Sequence, residues 1–133
     1  MHILPLVGTQ LGIWLADQVG ERGNAYVIAH AVELNGPICA ETLARAVRQG
    51  LGEADTATAR FFADGTGAYQ ELRARPEDAP EVPLERVDLS GTPDPEAAAR
   101  ALMRDDVAAD LPASGPRPLC RQVLMKLGTG VPR

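Results

Sequence analysis

The sequence is poor in aromatic residues and in cysteine, carries an excess of acidic charge, and has no long apolar run. Aromatic side chains make up 4% of its 133 residues, so leucine, valine, isoleucine and alanine must build the core. A formal net charge of −5 argues against a nucleic-acid surface and against an anionic membrane partner. No stretch approaches the roughly 20 apolar residues of a membrane span. The start MHILPLVG also lacks the basic region of a signal peptide.

Cysteine and histidine are too few and too widely spaced to predict a metal centre or a thiol active site. Cys39 and Cys120 form no CxxC pair and have no histidine at a metal-ligand spacing. We therefore expect two reduced, buried thiols, which is typical of a cytoplasmic protein. His2 is terminal, and His30 lies in the strand-like run YVIAHAVEL, where a packed or rim position is the simpler interpretation. The prediction is no metal and no cofactor.

The common catalytic and nucleotide-binding motifs are also missing. The sequence has no GxGxxG, no P-loop, no HExxH and no GxSxG. Its acidic pairs, such as Asp105–Asp106, fall in predicted loop or helix-surface positions, whereas a carboxylate with a raised pKa needs burial. Arg60 stands beside Phe61 in a strand-like setting, either as a buried ion-pair partner or as an exposed edge residue. The residues by themselves predict no catalytic group.

The apolar patterning predicts an α+β fold in which about three helices pack on a mixed β-sheet. Helices are predicted from Thr9, as the cap, to Val19, from Ala40 to Gln49, and from an Asp94–Pro95 start to Ala109. Two β-prone runs flank DGTG, which indicates an antiparallel hairpin. The predicted extended segments are Leu4–Leu6, Asn24–Leu34, Thr58–Phe62, Ala68–Leu72, Leu84–Leu89 and Leu119–Leu127.

The first two predicted helices each have an apolar face. On the solvated side of the second helix, Glu41 and Arg45 are spaced for an i,i+4 ion pair, and Gly50 and Gly52 weaken its end. Proline-rich surface connections follow at residues 75–83 and 112–118.

We expect the apolar face of the first helix to form the first packed corner of the fold. The residues on this face are Leu11, Trp14, Leu15 and Val19.

The segment LPLVGTQLGIWLADQV resembles the first core motif of nonribosomal peptide synthetase condensation domains, in which LPLTPAQxGIW leads into a helix. The likeness continues in order through NAYVIAHAVELNGPICAETLARAVRQ, VPLERVDLSGTPDPEAAARALMRDD and PLCRQVLMKLG. The resemblance implies half of a chloramphenicol-acetyltransferase-like fold, with residues 1–127 as the N-terminal lobe and 128–133 as a tail. In that family a tunnel runs between two lobes, two carrier-protein arms deliver thioesters to it, and an amide bond forms in its middle.

The family's second core motif, RHExLRTxF or a variant such as EADALRARF, maps onto residues 53–61. Thr58 stands where the family has an arginine that pairs with the aspartate of HHxxxDG, and threonine has neither the charge nor the reach for this. The sequence contains no HHxxxDG, whose second histidine positions or deprotonates the attacking amine, so no catalytic residue is implied. The resemblance implies structural roles for the motif residues Gln10, Gly12, Ile13, Trp14, Glu53, Asp55, Arg60 and Phe61.

These departures favour a truncated and catalytically inactive condensation lobe of the kind used in antibiotic biosynthesis, acting as a structural or protein-interaction module. Its expected partners are adenylation or carrier-protein domains, or a second copy that covers an exposed sheet edge and apolar face. One alternative is half of a split condensation enzyme that forms amide bonds with a C-terminal partner in trans. A second alternative is a small α+β ligand-binding protein. A piece cut from a larger synthetase is a further interpretation.

Overall fold

The structure, a computed structural model, describes residues 2–19, 26–72, 82–109 and 119–128. Three α-helices and two small β-sheets account for the regular elements in these ranges, which confirms the predicted α+β class. The helices are α1 (Gly8–Val19), α2 (Ala40–Glu53) and α3 (Pro95–Ala108), with a short 3₁₀ helix at Asp55–Thr58. The strands are β1 (His2–Pro5), β2 (Arg60–Asp64), β3 (Gly67–Leu72), β4 (Leu84–Asp88) and β5 (Gln122–Lys126).

The first sheet is antiparallel and has the strand order β1-β3-β2. Asp64 lies opposite Gly67, so two residues join β2 to β3 and the predicted hairpin is confirmed. In this turn the carboxylate of Asp64 accepts hydrogen bonds from the hydroxyl of Thr66 at 2.6 Å and from its backbone N–H at 2.8 Å. These bonds favour the ionised form and therefore lower the pKa of Asp64.

The second sheet is a parallel pair, β4 and β5, in which Leu84 lies opposite Gln122. Parallel neighbours need a crossover connection, and α3 lies in that connection. The start of α3 is as predicted, because Pro95 is in its first turn and the side chain of Asp94 accepts the Ala97 N–H at 2.8 Å. Parallel and antiparallel pairing thus occur in separate sheets.

The predictions for α1 are wrong in two details. The helix begins at Gly8 rather than after a Thr9 cap, because the carbonyl of Val7 accepts the first helical hydrogen bond from Leu11 N at 2.9 Å. The expected packed corner is also mostly open. Val19 is 85% exposed and Leu15 49% exposed, while Trp14 is half-buried, because the described elements cover little of this helix face.

The end of α2 and its ion pair also differ from the predictions. The helix continues past its two glycines to Glu53, whose carboxylate accepts a hydrogen bond from Gln49 Nε2 at 3.1 Å, one turn earlier. Glu41 pairs with Arg86 of β4, with 2.6 Å between Oε1 and Nη1. This hydrogen bond lowers the pKa of Glu41. The predicted partner, Arg45, instead donates to Thr42 at 3.4 Å.

The strand predicted over Asn24–Leu34 is wrong in its described part. Residues 26–34 have neither strand nor helix, and no backbone hydrogen bond joins them to another described residue. A strand exists only when a neighbouring backbone pairs with it. Residues 24–25 lie outside the described part of the chain. The same holds for most of the predicted loops at 75–83 and 112–118 and for the tail after Gly128.

The apolar core of the described residues is small. The buried apolar residues are Ala59, Val82, Leu89 and Ala99, of which Ala59 is 1% and Ala99 4% exposed. Many larger side chains, including Ile28 and Val32, remain on the surface. Among the described residues, the exposed large apolar side chains outnumber the buried apolar residues.

Candidate functional site

A reciprocal amide pair joins the first motif to the antiparallel sheet. Gln10 Nε2 of α1 donates to Gln70 Oε1 of β3 at 3.1 Å, and Gln70 Nε2 donates back to Gln10 Oε1 at 3.2 Å. Gln70 is the buried polar residue of the described core, 8% exposed. Burial of an amide costs free energy unless its donors and acceptors are paired, so each side chain satisfies the other.

Gln10 has a second role at the start of α1. Its Oε1 also accepts the backbone N–H of Val7 at 3.1 Å. Val7 precedes the first helical residue and Gln10 is the third, so this contact is the glutamine half of a capping box. A complete capping box also needs a serine or threonine hydroxyl at the residue before the helix. The family motif has threonine at this position, whereas this chain has Val7. One side chain therefore fixes the helix start and holds α1 on β3.

The second motif reaches the same place from the other edge of β3. Phe61 of β2 and Leu4 of β1 both lie opposite Gln70 in their ladders, and residues directly opposite share a sheet face. The structure thus brings together Gln10 of the first motif and Phe61 of the second. Gln70 was missed by the sequence analysis, although a polar residue between Ala68 and Leu72 on one strand face was a usable signal.

The opposite face of the hairpin is more exposed. Arg60 lies at the start of β2, with its side chain 46% exposed, and its Nη1 is 3.8 Å from Glu71 Oε2. It is therefore an exposed edge residue that also has an ion-pair partner. Next to it, Phe62 and Tyr69 stack with ring centroids 5.8 Å apart. At the turn end of this face the Thr66 hydroxyl lies 2.7 Å from the Tyr69 hydroxyl and donates to Asp64, so these contacts support the hairpin.

The remaining motif residues do not converge on this pair. Gly12 and Ile13 are exposed on α1, and space is open around the Gly12 backbone. The indole N–H of Trp14 is buried and has no hydrogen-bond acceptor among the described residues. Glu53 ends α2, and Asp55 begins the 3₁₀ helix that leads to β2. Among the described residues, these motif residues therefore lie on separate elements, α1, α2 and the 3₁₀ helix, and not around the Gln10–Gln70 pair.

Histidine, cysteine and acidic residues are dispersed over the described residues. His2 is exposed on β1 and His30 is exposed in the irregular segment after α1. No group of three potential metal ligands occurs in the described ranges. Both cysteines are free, but the predicted burial is wrong, because Cys39 is exposed and Cys120 is only partly buried. A hydrogen bond with Thr42 lowers the pKa of the exposed Cys39 thiol, and burial raises the pKa of the Cys120 thiol.

An ion pair at the end of the parallel sheet predicts a measurable pH effect. Hydrogen bonds from Ser90 and a 3.1 Å contact with Lys126 Nζ lower the pKa of Asp88 from 3.8 to about 2. The stabilisation by ionised Asp88 is complete above the unfolded pKa and is lost as the pH falls towards 2. Urea unfolding followed by tryptophan fluorescence should therefore show stability falling more steeply from about pH 5 to pH 2 for the natural chain than for Asp88→Asn.

The matched control for this experiment is Glu85→Gln, which removes an exposed carboxylate from the same strand. It should retain the steep acid dependence of the natural chain. Equal slopes for the natural chain and Asp88→Asn would contradict the assignment.

The elements and motifs described above are those of a condensation domain. A family model for the condensation domain matches residues 1–130, and the chain belongs to this family. The chain is similar to enterobactin synthase component F of Escherichia coli O157:H7, with 40% identity over 125 residues. The match spans 93% of this chain and 9% of that protein. The dimodular nonribosomal peptide synthase of Bacillus subtilis strain 168 is 32% identical over 92% of this chain, which corresponds to 5% of its own length.

Solved structures agree with this assignment. The first condensation domain of the CDA synthetase superposes with a TM-score of 0.82 and 32% identity, over 97% of this chain and 33% of that one. The starter condensation domain of the rhizomide synthetase gives a TM-score of 0.82 at 26% identity, over 98% of this chain and 30% of that one. The resemblance and the fold class are thereby confirmed. Across the described residues, none of the helices combines the length and apolar character needed to cross a bilayer.

Condensation domains catalyse amide-bond formation and work with adenylation and carrier-protein domains in peptide synthetases. The chain spans about a third of the condensation-domain structures that it matches and a far smaller share of the curated relatives. The chain therefore corresponds to part of a condensation domain of the kind found in nonribosomal peptide synthesis.

Proposed function

We propose that this chain, by itself, is a condensation-domain lobe that does not form amide bonds and that acts as a cytoplasmic protein-interaction module. The proposal rests on the two sequence motifs on which catalysis depends in the family. The chain contains no HHxxxDG, and Thr58 replaces the arginine that supports that motif in the family. Residues 1–127 form the proposed lobe, and the motif residues from Gln10 to Phe61 have structural roles in it.

Amide formation needs a group that positions or deprotonates the attacking amine within hydrogen-bond distance. The two histidines offer no such arrangement. His2 is the first residue of β1, an edge strand of its sheet, and His30 lies in an irregular, solvent-exposed segment. In the motif region, the side-chain amides of Gln10 and Gln70 hydrogen-bond to each other, and Gln70 is buried. These residues support the fold and have no free group directed at a substrate.

The exposed apolar surface supports the interaction role. Large apolar side chains lie exposed both on α1, as at Leu15, and in the irregular segment, as at Ile28, and extensive exposed apolar surface is typical of an interaction site. We propose that adenylation or carrier-protein domains, or a second copy of the chain, cover them. The two free thiols agree with a reducing compartment.

The test is a condensation assay with donor and acceptor amino acids loaded on carrier proteins and products detected by mass spectrometry. The chain alone should give no amide product above a protein-free blank. The first condensation domain of the CDA synthetase, with its own carrier-bound substrates, is the positive control. Amide product formed by the chain alone would overturn the proposal.

One half of a split condensation enzyme is the second candidate. The chain spans about a third of the first condensation domain of the CDA synthetase, so the rest of such a domain can be supplied as a second polypeptide. The assay is therefore repeated with a separately produced polypeptide that contains HHxxxDG and the rest of a condensation fold. Its control carries alanine for the second histidine of that motif. Product that depends on this histidine would replace our proposal by the split-enzyme function. The other alternative, a small ligand-binding protein, assumes that the family resemblance does not hold. The family match contradicts this assumption.

A further inference from the structure

The C-terminal end of α3 carries charge of the wrong sign for a helix. Its last turn contains Asp105 and Asp106 and has no basic residue. The carbonyl end of a helix is negative, so carboxylates destabilise it there and cations stabilise it. The sequence of α3 by itself therefore leaves this end of the helix uncompensated.

Arg121 supplies the missing cation from outside the helix. Its Nη2 donates a hydrogen bond to the backbone carbonyl of Asp106 at 2.6 Å, and its Nε lies 3.1 Å from Asp106 Oδ1. The Nε is buried and meets the carboxylate in an ion-pair contact rather than in an aligned hydrogen bond. One planar guanidinium thus reaches both the backbone and the side chain of the same residue, which an ammonium group does less well.

This contact spans a long connection between two elements. α3 ends at Ala108 and β5 begins at Gln122, so 13 residues lie between them. A helix and the next strand of an α/β unit are usually joined by about two to six residues. A longer connection leaves the strand more freedom, which is lost on folding. Arg121, the residue directly before β5, closes this connection at its base.

The far end of β5 is held by different contacts. Lys126 Nζ lies 3.1 Å from Asp88 Oδ2, and the Lys126 carbonyl accepts the Leu89 N–H at 2.8 Å. Between its two ends β5 pairs with β4 over five residues in a parallel ladder, which is slightly less stable per residue than an antiparallel one. The end of β5 is therefore fixed to β4, and its start is fixed to α3.

A weaker contact supports the start of β5. Cys120 Sγ lies 3.7 Å from the carbonyl oxygen of Ala57 in the 3₁₀ helix. A thiol is a weak donor, whereas a hydrogen bond from a charged donor is among the stronger ones. Of these two contacts, the one made by Arg121 therefore contributes more to holding β5 in place.

We propose that Arg121 is a strap that holds the start of β5 against the end of α3. Release of the strap opens this end of β5 while the antiparallel sheet stays folded, because the strap contacts neither β2 nor β3. The inference concerns the conformation of the chain and does not depend on the proposed function.

The test is native-state hydrogen exchange of the full chain, resolved by NMR. Arg121→Met keeps the aliphatic stem and removes both contacts with Asp106. It should speed exchange at the start of β5 and in the last turn of α3 by at least about tenfold, because a charged hydrogen bond and an ion pair are lost together. Exchange in the β2–β3 hairpin should change by less than about twofold.

Two further variants separate the contacts of the strap. Asp106→Asn removes the ion pair but keeps the carbonyl that accepts from Nη2, so it should have a smaller effect than Arg121→Met. The matched control is Arg100→Met, which removes an exposed arginine from the same helix, where it pairs with Glu96 at 3.3 Å. It should leave the exchange of β5 unchanged.

Unchanged exchange at the start of β5 in Arg121→Met would overturn this proposal. Global unfolding of that variant, or an equal increase in the hairpin, would also overturn it, since the opening is expected to be local. An effect of Asp106→Asn as large as that of Arg121→Met would show that the ion pair acts alone and would contradict the two-contact strap. The condensation assay is independent of all these results.

Discussion

Gln10→Met is expected to lower the free energy of unfolding by about 1–3 kcal/mol, because it leaves the buried amide of Gln70 without its partner. The same substitution removes the acceptor for the Val7 N–H at the start of α1. That contact is exposed, so its loss should add about 0.5 kcal/mol, the lower end of the range for helix caps. The main cost is the unpaired buried amide. Urea unfolding followed by the fluorescence of Trp14, which lies on the same helix, measures the change.

The double variant Gln10→Met with Gln70→Met separates this explanation from a simple loss of contacts. Replacing both amides with apolar side chains of similar length removes the unpaired group, so the double variant should be more stable than Gln10→Met alone. Gln49→Met is the control, since Gln49 is exposed on α2 and its one contact is with Glu53. It should change stability by no more than about 0.5 kcal/mol. A Gln10→Met variant no less stable than this control would contradict the role of the amide pair.

The second large effect is expected at Ala99, which is 4% exposed on α3. Ala99→Asp should destabilise the fold by about 3 kcal/mol or more, because a short carboxylate at this position cannot reach water and has no built-in partner. Burial will also raise the pKa of the new carboxyl group, so the cost should shrink at acidic pH, where the group is neutral. Urea unfolding at neutral and acidic pH tests both statements.

Ala97→Asp is the matched control for Ala99→Asp. Ala97 is exposed in the first turn of the same helix, where its N–H is bonded to Asp94. A carboxylate near a helix N-terminus interacts favourably with the helix dipole, so this variant should change stability by less than about 0.5 kcal/mol. Equal losses for the two variants would show that helix propensity, rather than burial at Ala99, causes the effect.

Features encoded by neighbouring residues were predictable from the sequence. The DGTG turn specifies its hairpin because an aspartate can bond to the backbone two residues on, and Asp64 does so. The start of α3 was predictable for the same reason, since Asp94 caps the N–H three residues later. The family could also be recognised, because its motif residues occur in order along nearly the whole chain.

Choices between distant partners were not predictable. Glu41 was expected to pair with Arg45 one helical turn away, yet it pairs with Arg86, which β4 brings closer. Gln70 was overlooked because its role depends on Gln10, which is 60 residues away in the chain. No local pattern states which of several arginines or amides the fold will bring within hydrogen-bond distance.

The sequence by itself determined the local elements and the condensation family, because each depends on residue types at short or fixed spacings. Only the tertiary structure decided that Gln10 and Gln70 form a buried pair and that residues 26–34 pair with no strand among the described residues. The physical reason is the same in both cases. A buried amide and a β-strand are each stable only when a second group, remote in sequence, satisfies their hydrogen bonds.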